Sequence, residues 1–411
     1  MGLVACASVW LFVQHAVYKP IRDAEISAGG DFLAFYMAGY RLPLGEDIYD
    51  LPAMKKQAGA MGMKKGPPAF PYPPLSAVPF IPLAHTLPPI EAFQFTVFMY
   101  TILYWLSLPL LFNAFKLPFT WNSVCTGIIL FSIYTPSWTT VDTGQVNMVV
   151  FFFVSAGLFF LVRRRDTIFG IAFGIAAVAK LFPGIAVFEM LFQRRFRALC
   201  GVALVGILMV IISIGLGGTD QYERYVKRDM KDNIKTVHAG RFDVSMKSFI
   251  HRLCIHNDAI RGSGRLFRLT NLYSRYAGYV LLIGTFLILL FGARNLAHMP
   301  LRICFLLTLL LIISPWTWTH HLVMALPCLT AVTSYARGLR GKARIAVFAG
   351  ITVSYICMAI GYRYHIAVRP GQLGRELINT SSVNFYGVVI LFVLISYLII
   401  HFRKKDETTA D

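Results

Sequence analysis

Charged side chains are scarce in this chain. Asp, Glu, Lys and Arg make up 14% of its 411 residues, against roughly a quarter in soluble domains. Acids are scarcest, with 20 against 39 Lys and Arg, a formal charge of +19. With so little charge and 56% of residues hydrophobic, a water-soluble globule would expose large apolar patches and aggregate. Cysteine is sparse too. There are seven, none spaced C-x-x-C, and all but Cys254 lie in or beside apolar runs, where the thiol acts as a small hydrophobe. No disulfide and no metal site are expected, and no H-E-x-x-H segment occurs. No linker and no internal repeat is visible. No basic domain stands apart from the apolar runs, which argues against nucleic acid as a partner. Alternating polar and apolar residues are also missing, against an outer-membrane barrel.

What the chain has is continuous apolar runs, near 3–18, 90–113, 122–139, 146–162, 167–179, 183–193, 198–216, 273–293, 301–314, 319–335, 345–361 and 383–401. The mean hydropathy is +0.61. At about 20 apolar residues per crossing, these runs make an all-α polytopic membrane protein of about a dozen transmembrane or re-entrant helices. Residues 1–411 read as one integral unit, and the lipid bilayer is its first partner. The first run reads as a signal-anchor-like span, because no small-residue cleavage pattern follows it.

The short basic loops are Arg163–Arg165, Arg194/Arg195/Arg197, Arg294 with Arg302, Arg337/Arg340/Lys342/Arg344 and Arg403–Lys405. The positive-inside rule places them all in the cytoplasm, with the C-terminus. The direction then alternates, except between Arg165 and Arg194, where 28 residues are too few for two crossings. A hairpin of two short helices fits there. It bends at Lys180-Leu-Phe-Pro183-Gly184, where Pro and Gly break the helix and the freed backbone must face a cavity. The loops 19–89, 217–272 and 362–382 then lie on the outer face, with the turns near Asp142 and Pro315. Loops this long usually carry function.

Polar candidates gather on that face. Asp31, among Phe32, Phe35 and Tyr36, would have its pKa raised by burial and could act as a general base; alternatively it caps the helix that follows. In Phe70-Pro-Tyr72-Pro-Pro-Leu75 the prolines hold the chain extended. The stretch is either an aromatic wall at a site mouth or a rigid lead-in to the second span. Gln145 and Asn147, after Asp142-Thr-Gly144, can exchange hydrogen bonds with sugar hydroxyls or serve a turn and helix start. Lys180, ionisable inside an apolar run, is a candidate anion ligand; otherwise it snorkels to the interface. The long basic loop carries Lys227, Arg228, Lys231, Lys235, Arg241, Lys247 and Arg252. One or two of these can grip phosphate, and the rest can face anionic lipid heads. Ser314-Pro-Trp316-Thr-Trp318-Thr-His320-His321 joins indoles that stack on sugars to imidazoles that bond phosphate, or it is an interfacial aromatic belt.

Taken together, these segments resemble the polyprenyl-phosphate-mannose-dependent mannosyltransferase-like family, glycosyltransferase family 87, of the GT-C fold. The matching pieces are GGDFLAFYMAGYRLPLGEDIYD, FPYPPLSAVPFIPL, TGQVNMVVFFF, GIAFGIAAVAKLFPG with its RRFRA tail, DVSMKSFIHRL and SPWTWTHHLVMALP, from residue 29 to about 327. The resemblance implies a GT-C-type helical bundle at the plasma (inner) membrane, with its active site on the extracytoplasmic face. It implies Asp31 as catalytic base and Lys180, Arg252, His320 and His321 at the donor phosphate. Tyr36, Tyr72, Gln145, Asn147, Trp316 and Trp318 would meet sugar and acceptor. The family's Asn-x-Ser loop motif reads Asp243-Val-Ser245 here.

The implied reaction is inverting transfer of a sugar, mannose first, from a polyprenyl-phosphate sugar donor to a glycolipid or glycan acceptor. No cofactor or metal is needed, because the leaving group is a single phosphate. Neither an Asp-x-Asp motif nor a nucleotide-binding domain speaks for a nucleotide sugar. The alternatives are a transporter or flippase, for which inverted repeats would be expected, and a GT-C transferase of arabinose or glucose. The topology has a direct test. A cysteine placed at position 60 is expected to react with an impermeant maleimide from outside intact cells, and labelling only from the cytoplasm would invert the assignment.

Overall fold

Lipid offers the backbone no hydrogen bonds, so a spanning chain must satisfy them within itself. A computed structural model, describing residues 1–229, 243–254, 264–292, 298–314, 316–359 and 380–408, does so with helices. In order the principal ones are α1 (Gly2–Phe12), α2 (Asp31–Arg41), α3 (Leu51–Ala60), α4 (Pro89–Ala114), α5 (Trp121–Ile133), α6 (Thr135–Asp142), α7 (Asn147–Val162) and α8 (Asp166–Ala179). They continue as α9 (Ala186–Phe192), α10 (Phe196–Gly217), α11 (Met246–Cys254), α12 (Gly264–Phe291), α13 (Met299–Ile313), α14 (Ala325–Ala336), α15 (Gly341–Ala359) and α16 (Thr380–Thr408). Among the described residues the β-type pairing is one isolated antiparallel bridge, Asp243 to Trp318.

Among the described residues five segments are long and apolar enough to cross a membrane: Pro89–Ala114, Phe196–Gly217, Leu269–Phe291, Gly341–Ala359 and Ser382–Arg403. The α5–α6 pair adds a sixth if its two parts form one broken span. The chain is therefore a multi-pass helical membrane protein, and among the described residues the full-length spans are fewer than the dozen runs. Asn147–Val162, Asp166–Ala179, Phe182–Phe192 and Met299–Ile313 are shorter apolar helices. The first run is helical from Gly2 but passes into a π-helix at Val13–Tyr18.

Apolar side chains face outward on α10 (Leu204, Ile207, Ile211) and α12 (Tyr279, Val280, Ile283, Phe286), as a lipid-facing surface requires. Inside, hydroxyls bond carbonyls one turn back: Thr96 to Ala92, Ser107 to Leu103, Ser155 to Phe151 and Thr308 to Cys304, each at 2.8 Å. These bonds remove polar atoms from the packing surface without a second helix. Helices α8 and α10 cross so closely that a Cβ on Gly170 would stand 1.9 Å from the Ala198 carbonyl oxygen.

Three expectations change. The run 122–139 is not one straight span. The chain is extended at Tyr134, where Pro136 opens α6, and α5 and α6 meet at 53°. The stretch 70–75 is not extended to its end, and turns follow it up to α4. Pro73 is extended, but Pro74–Ser76 and Val78–Phe80 are 3-10 turns and Ile81–Thr86 is a short helix. Arg302 does not belong to a basic loop. Its guanidinium is fully buried and donates to both carboxylate oxygens of Glu189, at 2.6 and 3.1 Å, and to the Leu289 carbonyl at 2.8 Å. A buried carboxylate demands a cation, and Arg302 supplies it. Arg294, Pro315, most of loop 362–382 and the stretch with Lys231, Lys235 and Arg241 lie outside the described residues.

The hairpin between Arg165 and Arg194 is present. Helix α8 ends at Ala179, Lys180 is extended, Phe182–Ile185 is a 3-10 turn, and α9 leads back. The Arg302–Glu189 pair fastens its returning limb to α13. Arg302→Met, which strands the buried Glu189 charge, should cost about 3–5 kcal/mol, and Arg302→Met/Glu189→Leu should regain most of it. Thermal unfolding of the solubilised protein checks this. A wild-type transition in the single variant would mean that the pair does not hold the hairpin.

Candidate active site

The site begins at the start of α2. Gly30 occupies the N-cap position without a side-chain cap bond, and Asp31 is the first helical residue. Asp31 therefore does not cap α2. The Phe32 N–H donates to the Thr143 carbonyl at 3.1 Å. This seats α2 on the turn Asp142-Thr143-Gly144-Gln145, and Ser27 Oγ donates to Asp142 at 3.4 Å. Gly144 has φ +59° and faces Phe32; a Cβ there would lie 2.6 Å from the Phe32 Cβ. Only glycine meets both demands.

Tyr72 comes to the same place. Its ring lies 4.8 Å from Phe35, and its carbonyl accepts from the Tyr49 hydroxyl at 2.8 Å. Ser76 then donates to the Val178 carbonyl at 2.7 Å, tying this stretch to the end of α8. Tyr36 plays another part. It is buried, and its hydroxyl donates to the Leu87 carbonyl at 2.9 Å and the Ala84 carbonyl at 3.3 Å. These bonds hold α2 to the lead-in of α4.

Lys180 is the meeting point of three segments. Its amine donates to Asn147 Oδ1 at 2.9 Å, stands 2.5 Å from His321 Nε2 and lies 5.8 Å from the centre of the Tyr72 ring. Asn147 is fully buried, and its Nδ2 donates to the His320 carbonyl at 3.3 Å. That carbonyl also accepts from Thr140 at 3.0 Å, and the Tyr134 hydroxyl donates to the Leu322 carbonyl at 2.9 Å. Asn147 thus positions Lys180 and the histidine turn. His321 Nδ1 accepts the Trp318 N–H at 3.1 Å, which leaves the proton of a neutral ring on Nε2. That Nε2–H can donate to the Lys180 amine in its neutral form, and the two nitrogens are in direct contact. The His320 ring stacks parallel to Trp318 at 6.3 Å and meets the His321 ring edge-on at 4.5 Å. Trp316 and Trp318 are each partly exposed beside it.

In the sequence Asp243 is a departure from a motif, with no role of its own. The structure gives it one. Its buried carboxylate accepts from the Ser245 N–H at 2.8 Å and the Thr317 N–H at 3.2 Å, while the Val244 N–H donates to the Thr317 carbonyl at 2.5 Å. This staples the long loop to the tryptophan segment. Arg252 belongs to the staple: its guanidinium donates to the Asp243 carbonyl at 2.6 Å and to Ser382 at 3.4 Å. The clue in the sequence was the Asx-turn spacing Asp243-x-Ser245, in which an aspartate holds a backbone N–H two residues on.

Burial pushes the Asp31 carboxyl above the usual carboxylate range, and a hydrogen bond from Gln145 and the positive charge of Lys180 pull it back. Gln145 is buried between Asp31 and Tyr72, and its Oε1 has no hydrogen-bond partner among the described residues. Asp31, Tyr72, Gln145, Asn147, Lys180, His320 and His321 thus form one cluster. It combines one carboxyl, one amine, imidazoles and an open amide oxygen, and can take a proton at one end while holding an anion at the other. Among the described residues no group of three or more His, Cys, Asp or Glu side chains is placed to share a metal ion.

The model of glycosyltransferase family 87 matches residues 70–315. That range holds Tyr72, Gln145, Asn147, Lys180 and Arg252; Asp31 precedes it, and Trp316, Trp318, His320 and His321 follow it. A curated relative is the polyprenol-phosphate-mannose-dependent alpha-(1-2)-phosphatidylinositol pentamannoside mannosyltransferase of Mycolicibacterium smegmatis (strain ATCC 700084 / mc(2)155). It is 28% identical over 275 residues, 64% of this chain and 60% of that protein. The match thus spans less than two thirds of the relative's length. No solved structure matches the chain.

The electrostatics can be measured directly. In pH-difference infrared spectra, with Asp31→Asn as the blank, the Asp31 carboxyl should titrate above the ordinary value of about 3.9. Lys180→Met should move it higher still, since a nearby cation favours the charged carboxylate. An unmoved titration would separate the two groups.

Proposed function

Since the chain belongs to glycosyltransferase family 87, we propose that it transfers a hexose from a polyprenyl-phosphate donor to a glycolipid or glycan acceptor. Mannose is the sugar of choice, because the mycobacterial relative is named for mannose transfer. The reaction runs on the extracytoplasmic face of the plasma membrane, within a GT-C-type bundle whose C-terminus is cytoplasmic. The observation that carries the reading is the convergence of Lys180 Nζ and His321 Nε2, 2.5 Å apart, in a cluster that also holds Asp31.

Lys180 Nζ and His321 Nε2 are in direct contact, and a phosphate oxygen placed beside the pair would accept from both groups. The donor is a phosphodiester with a single negative charge. As the acceptor hydroxyl attacks the anomeric carbon, the bond from that carbon to the phosphate oxygen breaks. Its electron pair stays on the phosphate, which leaves as a doubly charged monoester. The extra charge develops beside Lys180 and His321, whose preset donors then bind the transition state more tightly than the ground state. Asp31 takes the hydroxyl proton. Attack opposite the phosphate inverts the anomeric centre, so a β-linked donor yields an α-mannoside. Gln145 offers its open Oε1 to a sugar hydroxyl, and Tyr72, Trp316 and Trp318 supply ring faces. The phosphate charge is met by side chains, so the reaction is proposed to need no metal and to continue in EDTA.

Transfer from synthetic polyprenyl-phosphate mannose to a lipid extract tests this, with glucosyl and arabinosyl donors as comparisons. Asp31→Asn should lower turnover by about 10²-fold or more, the low end of general-base catalysis, at matched protein levels. Asn keeps the size of the side chain but cannot take the proton. Lys180→Ala and His321→Ala should each lose about 1.5–3 kcal/mol of transition-state binding, the worth of a charge-assisted hydrogen bond. The acid limb of the rate should follow the raised Asp31 titration, with activity present above that pKa and lost below it. Near-wild-type turnover in Asp31→Asn would end the assignment of the base.

A further inference from the structure

A second cavity lies at the other end of the molecule. Helix α14 starts at the histidine turn and ends at Arg337, about 18 Å away at 1.5 Å per residue. Helix α5 runs alongside it, from Trp121 at the far end to Ile133 beside Tyr134, whose hydroxyl bonds the Leu322 carbonyl of that turn. Between α5, α14, α15 and the end of α4 is a crevice of about 580 Å³, walled by Phe112, Leu130, Leu326 and Phe348 and flanked by Arg337 and Arg344.

The threonines and the tyrosine of its wall are engaged within the protein. Thr126, Thr330, Thr333 and Thr352 each donate to the carbonyl one turn back, and Tyr355 donates to the Leu130 carbonyl at 2.6 Å. The wall therefore calls for apolar contact. The two arginines differ. Both are exposed, and the lining includes no acid. Arg344 lies over the Phe348 ring at 5.8 Å, which sets its guanidinium against the apolar wall. The floor is fixed, because Ser334 donates to the Phe115 carbonyl at 2.6 Å and joins α14 to the end of α4.

We propose that this crevice binds an anionic glycerophospholipid, with its phosphate between Arg337 and Arg344 and an acyl chain along Phe348, Leu130 and Phe112. Two guanidiniums with no carboxylate beside them complement a phosphodiester. A cleft walled mostly by apolar side chains, with its threonines and tyrosine bonded within the protein, complements a hydrocarbon tail. The crevice is separate from the Lys180 cluster, and the assignment does not rest on the glycosyltransferase reading.

The test is native mass spectrometry of the whole chain released from phosphatidylcholine nanodiscs doped with phosphatidylglycerol. Wild type should retain phosphatidylglycerol in preference to phosphatidylcholine. Arg337→Gln/Arg344→Gln should weaken retention about fivefold for each arginine lost, as expected for a basic residue near an anionic surface. Arg163→Gln/Arg164→Gln removes two exposed arginines elsewhere and should leave retention unchanged. Leu130→Trp narrows the crevice without changing charge and should lower retention, and thermal unfolding confirms that each variant is folded. Equal retention of the two lipids would overturn the proposal. So would equal losses in both arginine pairs, displacement by soluble glycerol phosphate as effective as by lipid, or preferential displacement by polyprenyl phosphate.

Discussion

An amine inside an apolar bundle must be held by polar partners, and the site of this protein is built around that requirement. Lys180 is held by Asn147 and stands against His321. Each partner is held in turn: Asn147 by the His320 carbonyl, His321 by the Trp318 N–H. Three segments that are distant in sequence, α7, the broken hairpin and the turn before α14, are fixed in mutual register by a few hydrogen bonds. Thr140 and Tyr134 add bonds from α6 and the bend before it. Buried polar networks of this kind are costly when incomplete, so the cost of moving any one member keeps the others in place.

The hairpin carries two charged groups, and they are treated differently. On its returning limb Glu189 is neutralised by a fully buried arginine that grips both carboxylate oxygens. At its tip Lys180 has an amide and an imidazole, and no carboxylate forms an ion pair with it among the described residues. The closed pair has no capacity left for a ligand. Burial lowers the Lys180 pKa to about 7, so an anion arriving from outside would favour its charged form. The difference lies in partner choice: a carboxylate at the tip would cancel the charge that an anionic group needs.

Much of this could be read from the sequence where the signal is local. The hairpin break follows from Pro183 and Gly184 within a few residues of Lys180, and helix geometry there is decided by the residues themselves. The membrane class follows from composition. The neighbourhood of Asp31, Tyr72, Gln145 and Lys180 was legible as a set of polar residues on one side of the predicted spans. What stayed hidden depends on contacts across long separations. Arg302 reads as loop charge beside Arg294, and only its partner, 113 positions upstream, shows it to be core. Tyr36 reads as a residue that meets sugar and acceptor, and the sequence gives no sign that its hydroxyl bonds the Leu87 carbonyl. The bend at Tyr134 is masked because both halves are apolar, and hydropathy carries no angle. Asp243 reads only as a departure from a motif and Arg252 as a phosphate ligand, and the sequence does not show that both also join the loop to the tryptophan segment.

The position of Asp31 in its helix bears on what its carboxyl can do. An N-cap aspartate has an oxygen committed to backbone N–H groups, which stabilises the anion and lowers its basicity. Gly30 takes that position here, so the Asp31 carboxyl is not used up in capping. It remains within the first turn, where the positive end of the helix favours the charged form. Lys180 and Gln145 favour it too, and burial among aromatic residues opposes all three. Burial prevails. The result is a carboxylate whose affinity for a proton is raised while groups that tolerate its charge stay close. A strong hydrogen-bonded staple would make a poor base, and an unassisted buried carboxylate would stay protonated. The glycine before Asp31 and the lysine beyond it avoid both outcomes.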